Sequence, residues 1–417
     1  TLEDCLRIGI DNNLSLEGKR KEIQKSKYGV SENRSKLLPQ ITVIAGYNNN
    51  FDPPVSVTDG SSYGVPYNIT KTLQHTANAG LEMQMPLFNQ TLYTSMSIAK
   101  VMEEISRLSY GKAREDIIMQ ISKMYYLGQV TAEQIVLIKA NITRLEELRD
   151  ITQAFFDNGM SMEVDLKRVN INLENLKVQY DNAQAMMKQQ LNMLKYIMDY
   201  PAEKEFVLTP VNTDSITTVA LTGLSENIYE LQLSQSQVQL AEKQKKIISN
   251  GYIPSLSLTG SWRYAAYTDK GYHWFHSGPS NHWFRSYGLG LTLRIPIFDG
   301  LDKTYKIKKA MIDIENRKLA WENARKSLQT QYLNAVNDLM NNQRNFKKQK
   351  DNYLLAEDVY TVTSDRYREG IASMTEVLQD EMQMSEAQNN YISAHYNYRI
   401  TNLMLLKLTG QIESLVK

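Results

Sequence analysis

The clearest pattern along the chain is an alternation of apolar and polar residues in four separate stretches, with Ile44 as an exception in the first. In the second stretch, Leu81, Met83 and Met85 alternate with Glu82 and Gln84. Successive side chains of a β-strand point to opposite faces, so a period of two predicts a strand with one apolar and one polar face. The pattern predicts strands at about residues 40–51, 76–88, 254–267 and 284–298.

Two features favour strands that span a membrane. Each stretch reaches the ~9 to 11 residues that a tilted strand needs to cross a bilayer. Aromatic residues also collect toward one end of the stretches, as in the interfacial belt of a membrane barrel; they are Tyr47, Trp262, Tyr264, Tyr267, Trp274, Trp283 and Tyr287. The alternative is an antiparallel sheet with one face on a soluble core. In the membrane interpretation, four polar-face residues line a lumen: Glu82, Gln84, Arg263 and Arg294.

Four strands are too few to close a barrel, since single-chain barrels begin at about eight strands. Open strand edges in lipid would leave backbone N–H and C=O groups unpaired, at a cost on the order of several kcal/mol each. Spanning strands therefore require that the chain oligomerises. A dimer would supply eight strands and a trimer twelve, and the strand pattern alone leaves this choice open.

Two much longer stretches, at about residues 90–157 and 302–369, contain no proline and few glycines. As helices they would each extend on the order of 100 Å, at 1.5 Å per residue. In the last part of the chain, apolar and small residues recur at alternating steps of three and four, which predicts coiled-coil packing. This seam comprises Met384, Ala387, Tyr391, Ala394, Tyr398, Thr401, Leu405 and Leu408.

Gly159 and Gly370 interrupt the long helices at matching places. A helix that stops at glycine and restarts shortly afterwards predicts a helical hairpin with the glycine at its tip. The strand exits also match, since Pro86-Leu87-Phe88 in the first half corresponds to Pro296-Ile297-Phe298 in the second. These landmarks occur in the same order, so the sequence predicts an internal duplication.

The predicted repeats are residues 1–200 and 225–417, each with a helix, two strands and a long helical hairpin. Residues 201–224 are richer in Thr, Pro and Ser and are predicted to link the repeats. A soluble, elongated coiled-coil scaffold is the alternative interpretation. It accounts for the helices alone but not for strands inserted at matching positions in both halves.

Composition and charge narrow the functional classes. The chain has 47 basic and 46 acidic residues, so no overall field attracts nucleic acid. The single cysteine, Cys5, permits no internal disulfide and no multi-cysteine metal site. No secretory signal is visible, and because the sequence opens inside an amphipathic helix we expect a trimmed, mature product.

Catalytic motifs are not recognisable, and we expect no enzymatic activity, cofactor or metal centre. His273 and His276 lie close together and could in principle bind a metal, but only Asp269 stands nearby as a further ligand. With Trp274 in the same segment, we interpret it as an exposed loop with interfacial aromatics.

The repeat, the strand pairs and the glycine-tipped hairpins together resemble the TolC family of outer-membrane efflux proteins. The likeness covers essentially the whole chain, and it includes the opening Leu2-Glu3-Asp4-Cys5-Leu6 and the Leu38-Pro39 and Ile253-Pro254 strand starts. The resemblance implies a mainly helical homotrimer with membrane strands. Its twelve-stranded barrel, four strands from each chain, would continue into a periplasmic helical tube. The implied partners are a periplasmic adaptor protein and, indirectly, an inner-membrane efflux pump or ABC exporter.

The resemblance also implies roles for individual residues near the hairpin tips. The family narrows its closed pore six and nine positions beyond the second tip glycine, which places Glu376, Gln379 and the adjacent Asp380 at the constriction. Tyr367 and Asp165 occupy positions where the family has a gate-latching hydrogen bond. The adaptor-contact positions are Asn158, Gly159, Met160, Ser161, Glu369, Gly370, Ile371, Ala372 and Ser373. The cargo is not indicated by these residues.

Overall fold

A computed structural model of the chain describes residues 1–59, 61–210, 223–268 and 283–416. The loop that carries Asp269, His273, Trp274 and His276 lies outside the described residues, as do residues 211–222 of the predicted linker. No helix within the described ranges is long and apolar enough to cross a membrane.

The described residues contain six strands. Their bounds are β1 Gln40–Asn49, β2 Val55–Asp59, β3 Tyr67–Lys71, β4 His75–Phe88, β5 Ser255–Thr268 and β6 Trp283–Arg294. Four of them form one antiparallel sheet in the order β1-β4-β5-β6, which confirms the four predicted strands. The fourth strand is shorter than predicted and ends at Arg294, because Pro296 has no N–H to extend the ladder.

Strands β2 and β3 form a separate two-stranded hairpin that the sequence analysis did not predict. Each strand has five residues, too few for a period of two to stand out from the surrounding loop. Val57 lies opposite Ile69, whereas Ser56 lies opposite Thr70. The face with Val57 is apolar at its centre and has Lys71 and Asp59 at its two ends.

Seven α-helices account for most of the described chain. They are α1 Leu2–Asn12, α2 Leu14–Ser35, α3 Gln90–Asp157, α4 Glu163–Ile197, α5 Tyr229–Asn250, α6 Asp302–Arg368 and α7 Met374–Leu408, with short 3-10 turns at Ser61–Tyr63 and Ile412–Val416. Helices α3 and α6 match the two predicted long helices almost to the residue. Each is followed by a glycine and a shorter helix, as predicted.

Residue contacts divide the chain into two compact units. The strand unit comprises residues 24–104 and 236–317 and contains both sheets. The helical unit comprises residues 1–23, 105–235 and 318–417, and it contains the helical hairpin tips.

The core of the helical unit lies between the long helices. One cluster joins Leu148 of α3, Leu173 of α4, Tyr360 of α6 and Val377 of α7, all of them buried. The predicted seam on α7 packs inward as expected. Met384, Ala387, Tyr391, Ala394, Tyr398, Leu405 and Leu408 are buried, and Thr401 is half-buried.

A buried polar network crosses the same unit. The Tyr391 hydroxyl donates to Glu133 (3.2 Å), and Nε of Arg399 donates to Nε2 of the fully buried His395 (2.9 Å). Because Nε2 accepts this bond, the ring proton of neutral His395 lies on Nδ1, which faces the Glu133 carboxylate at 3.5 Å. Directional contacts of this kind fix which residues of α3 and α7 lie side by side, which apolar packing alone does less sharply.

Glu115 of α3 is only 4% exposed. Burial raises the pKa of its carboxyl from the ordinary value of 4.5 to about 7; the Lys407 ammonium opposes that rise, and the Glu413 carboxylate adds to it. The folded chain therefore binds more protons than the unfolded chain between about pH 4.5 and 7. This carboxyl favours the fold below that window, and the contribution is lost as the pH rises through it.

We expect Glu115→Gln to increase the free energy of unfolding at pH 8 by about 1 to 3 kcal/mol. The glutamine needs no proton to stay neutral, so this part of the pH dependence should disappear. Thermal unfolding of the detergent-solubilised protein, followed by circular dichroism between pH 5 and 8, measures both effects.

Glu230→Gln provides the matched control for this experiment. Glu230 forms a surface ion pair with Lys112, and the two side chains are 47% and 38% exposed. Such pairs contribute about 0 to 1 kcal/mol, so the pH profile should remain that of the wild type. A Glu115→Gln profile that still tracks the wild type would contradict the assignment.

Candidate functional site

The strand unit separates polar from apolar residues on its two faces. On the polar face Nη2 of Arg263 donates to Oε1 of Glu82, which joins β5 to β4. Gln84 lies opposite Thr259, and Arg294 lies opposite Ser255 on the same face. The four residues predicted to line a lumen therefore share one face of the sheet.

A polar groove of about 620 Å³ lies on this face. Its lining includes Gln40, Thr42, Glu82, Gln84, Ser261 and Arg263. Both charges at its centre are compensated by each other, and the remaining polar groups are neutral. Water can therefore fill the groove, and its lining does not strongly favour ions of either charge.

The opposite face exposes large apolar side chains. Val43 is 73% exposed and Leu289 is 80% exposed, although both belong to a hydrogen-bonded sheet. A continuous apolar surface of this kind marks contact with a membrane or with another protein surface. Aromatic residues occupy this face toward the loop end of the sheet, and aliphatic residues occupy it toward the helices.

The hairpin tips in the helical unit are built by two equivalent turns. Gly159 follows α3 with a φ of +72°, and Gly370 follows α6 with a φ of +75°, a conformation that favours glycine. In each turn the N–H groups of the glycine and of the next residue donate back to the last turn of the helix. Gly159 donates to Phe156 (2.9 Å) and Met160 to Phe155 (2.8 Å), while Gly370 donates to Tyr367 (2.9 Å) and Ile371 to Arg366 (2.8 Å). These bonds satisfy carbonyl groups that the helix end leaves without a partner.

Seven of the predicted adaptor-contact residues line one groove of about 840 Å³. They are Gly159, Met160 and Ser161 of the first tip and Glu369, Gly370, Ala372 and Ser373 of the second. Asn158 lies beside this set, where its side chain donates to the Ala154 carbonyl (2.7 Å). Exposed apolar side chains surround the turns, including Met162, which is 71% exposed.

The predicted constriction residues occupy three different environments. Glu376 closes a capping box at the start of α7, because its carboxylate accepts from the Ser373 N–H (3.0 Å) and its own N–H donates to the Ser373 hydroxyl (3.3 Å). Gln379 lines a groove of about 870 Å³ between α4 and α7, together with Asn172, Asn175, Gln179 and Gln383. Asp380 is half-buried and is not part of that lining.

Glu381, the next residue, does line this groove and is buried. Burial raises the pKa of its carboxyl, and the Arg144 guanidinium opposes the rise. Glu381 is adjacent to the predicted constriction residues but was not one of them. The seam spacing carried the signal, because steps of four, three and four connect Val377, Glu381, Met384 and Gln388, and all four are buried.

In this structure the two predicted latch residues, Tyr367 and Asp165, make separate contacts. The buried Tyr367 hydroxyl donates to Thr152 of α3 (3.3 Å), and its ring packs against Phe155. The Asp165 carboxylate instead accepts from Arg168 one turn further along α4 (3.3 Å). The tyrosine turns inward because its ring belongs to the apolar core, whereas Asp165 keeps a local ion pair.

Arg168 and Thr152 are two contact residues that the sequence analysis missed. The Arg168 guanidinium also donates to the Thr375 hydroxyl (3.3 Å), and so joins the start of α4 to the start of α7. The Thr152 hydroxyl donates to the Leu148 carbonyl (2.7 Å) while it accepts from Tyr367. No periodic pattern distinguishes a polar contact of this kind from an ordinary helix residue.

Comparison with known proteins gives one consistent result. The family described as outer membrane efflux protein matches residues 8–198 and again residues 212–411. Outer membrane protein TolC of Vibrio cholerae is 21% identical over 396 residues, which cover 92% of this chain and 84% of that protein. The probable efflux pump outer membrane protein TtgC of Pseudomonas putida is 23% identical over 382 residues, which cover 86% of this chain and 75% of that protein.

Solved structures agree in fold. CusC, whose crystal structures are described in connection with its folding and transmembrane channel formation, superposes with a TM-score of 0.81 at 15% identity, over 98% of this chain and 91% of that one. The outer membrane protein VceC from Vibrio cholerae superposes with a TM-score of 0.79 at 14% identity, over 98% of this chain and 96% of that one. The protein is therefore located in the outer membrane and extends into the periplasm. Its sequence matches over nearly its whole length show that the chain belongs to the outer membrane efflux protein family.

Proposed function

We propose that three copies of this chain form one passive duct through the outer membrane, and that an inner-membrane pump or ABC exporter supplies the energy. The observation that carries the proposal is the two-faced sheet, with the Glu82–Arg263 pair on one side and exposed aliphatic residues such as Leu289 on the other. A soluble coiled-coil scaffold does not account for a sheet face with exposed apolar side chains.

The two edges of the sheet support an oligomer that closes a barrel. Strands β1 and β6 each have one hydrogen-bonded neighbour in the four-stranded sheet. If β6 of one copy pairs with β1 of the next, three copies close twelve strands with every backbone group satisfied. The resemblance to TolC favours this number over the eight strands of a dimer.

The hairpin tips are the proposed contact surface for a periplasmic adaptor protein. The two glycine turns contribute to one groove, and exposed Met160, Met162 and Ile371 surround it. Unbranched methionine side chains adapt to varied partner surfaces. We therefore expect the adaptor to present an apolar segment to this groove.

A gate near the tips is the second part of the proposal. Gln379 and Glu376 remain the candidate constriction residues, with Asp380 beside them. The Tyr367–Thr152 and Arg168–Thr375 contacts connect helices of the two hairpins and would hold this region shut. Each bond contributes only about 0.5 to 3 kcal/mol, which is weak enough for a docked partner to break.

The lining of the duct indicates little selection by charge. Glu82 and Arg263 neutralise each other, and amide side chains dominate the groove beside Gln379. The cargo is accordingly chosen by the pump rather than by this chain.

The first test is conductance across a planar lipid bilayer after addition of detergent-purified protein. We expect discrete, small steps, because a duct held shut at its tips conducts little. Absence of steps at all protein concentrations, together with solubility of the protein without detergent, would contradict the duct.

Ion selectivity tests the assignment of the polar face. Glu82→Gln leaves Arg263 uncompensated, so the reversal potential in a KCl gradient should shift toward anion preference. Arg263→Gln should shift it toward cations, and the double variant should return close to the wild type. Equal reversal potentials for all four proteins would show that this pair does not face the ion path.

Conductance also tests the gate. We expect Tyr367→Phe to increase the mean conductance of the resting channel, because the bond to Thr152 is lost while the ring packing is kept. Thr152→Val should act in the same way, and the double variant should add nothing further. Asp165→Asn is the comparison variant, and a conductance gain confined to it would restore the originally predicted partner of Tyr367.

A further inference from the structure

One arginine of the sheet lies on the apolar face. Arg285 of β6 is directly opposite Tyr264 of β5. It shares its face with Trp283 and Tyr287, the residues two positions before and after it on the strand. Arg263 and Arg294 lie on the opposite, polar face, so Arg285 is the exception among the described strand arginines.

The guanidinium of Arg285 is exposed, and no described residue forms an ion pair or hydrogen bond with it. By contrast, Arg263 is paired with Glu82. A charge on a lipid-facing strand surface is strongly unfavourable at the bilayer centre and becomes tolerable near the headgroups. An unpaired arginine at such a position therefore needs an external anion or water at the membrane boundary.

The position of Arg285 along the sheet agrees with that boundary. It lies two residues from the loop end of β6. One side-chain row nearer the helices, Trp262 and Tyr287 lie opposite each other. The following rows on this face are aliphatic apart from Gly260; they contain Gly260 with Leu289, Leu258 with Leu291, and Leu256 with Leu293. The Arg285 charge thus lies among the aromatic side chains of this face, roughly 7 Å along the strand from the row formed by Trp262 and Tyr287.

An apolar groove of about 560 Å³ begins at that next row. It is lined by Ile41, Leu81, Met83, Trp262, Tyr287 and Leu289. Gly260 lies at the floor of the groove. A Cβ atom at this position would lie only 3.3 Å from the side chains of Leu289 and Met83, so the absence of a side chain keeps the floor of the groove open. A molecule with an anionic head at Arg285 and an aliphatic chain would occupy both features together.

We propose that Arg285 and this groove bind one membrane lipid through the phosphate of its headgroup. The planar guanidinium matches a phosphate with two parallel hydrogen bonds. Trp262 and Tyr287 contact the boundary between headgroup and chain, and the groove takes part of an acyl chain. The continuous apolar groove favours a lipid over free phosphate, for which Arg285 alone would suffice. The proposal requires only that this face lies in the membrane, and it is independent of conduction.

Native mass spectrometry of the detergent-purified protein tests the site. The probes are dioleoylphosphatidic acid and dioleoylglycerol, which have the same chains and differ in the phosphate. We expect the wild type to bind the phosphate-bearing lipid about fivefold to tenfold more tightly. Arg285→Gln should abolish that preference, and Arg285→Lys should keep part of it because the charge remains without the planar fork.

Arg294→Gln is the matched control, because it removes the same charge from the opposite face of the same strand. It should keep the wild-type lipid preference. Equal binding of both probes by the wild type, or an unchanged preference in Arg285→Gln, would overturn the proposal. Complete competition by inorganic phosphate at millimolar concentration would also overturn it, since that outcome identifies a phosphate site without a lipid.

Discussion

The backbone of a strand in an apolar environment must have every N–H and C=O group paired, and most of this architecture follows from that requirement. Four strands pair with one another, and β1 and β6 are left with one edge each. Neither edge strand contains a proline that would interrupt pairing, and β1 also carries no charged side chain. The edge strands are thus suited to pair with those of another copy of the chain. The polar and apolar faces of the sheet determine which side contacts water.

The helical unit meets the same requirement at its helix ends. At each tip a glycine with positive φ lets the chain turn back while its N–H groups satisfy the last carbonyls of the helix. Side chains complete the arrangement at the restart, where Ser373 and Glu376 cap α7. Packing then joins the helices through a core to which α3, α4, α6 and α7 all contribute.

Features with a strong period or a special backbone residue were predictable from the sequence. The strands containing Leu81 and Leu289, the seam through Met384 and both glycine tips follow directly from such patterns. The hydrogen-bond partner of Tyr367 was not predictable in this way, because residue spacing does not specify which nearby acceptor a tyrosine hydroxyl contacts. The β2–β3 hairpin was missed since its strands are too short to show a period. Glu381 was missed because a carboxylate at a seam position contradicts the expected apolar residue.

The two tips share one backbone geometry but differ in sequence, Asn158-Gly159-Met160 against Glu369-Gly370-Ile371. A trimer would therefore present six ends of two chemical kinds in alternation. A partner assembled from six identical subunits would meet two unequal sets of contacts, and three of its subunits would dock more tightly than the other three. If such subunits docked one at a time instead, the inequality would make the stoichiometry of the complete assembly depend on partner concentration.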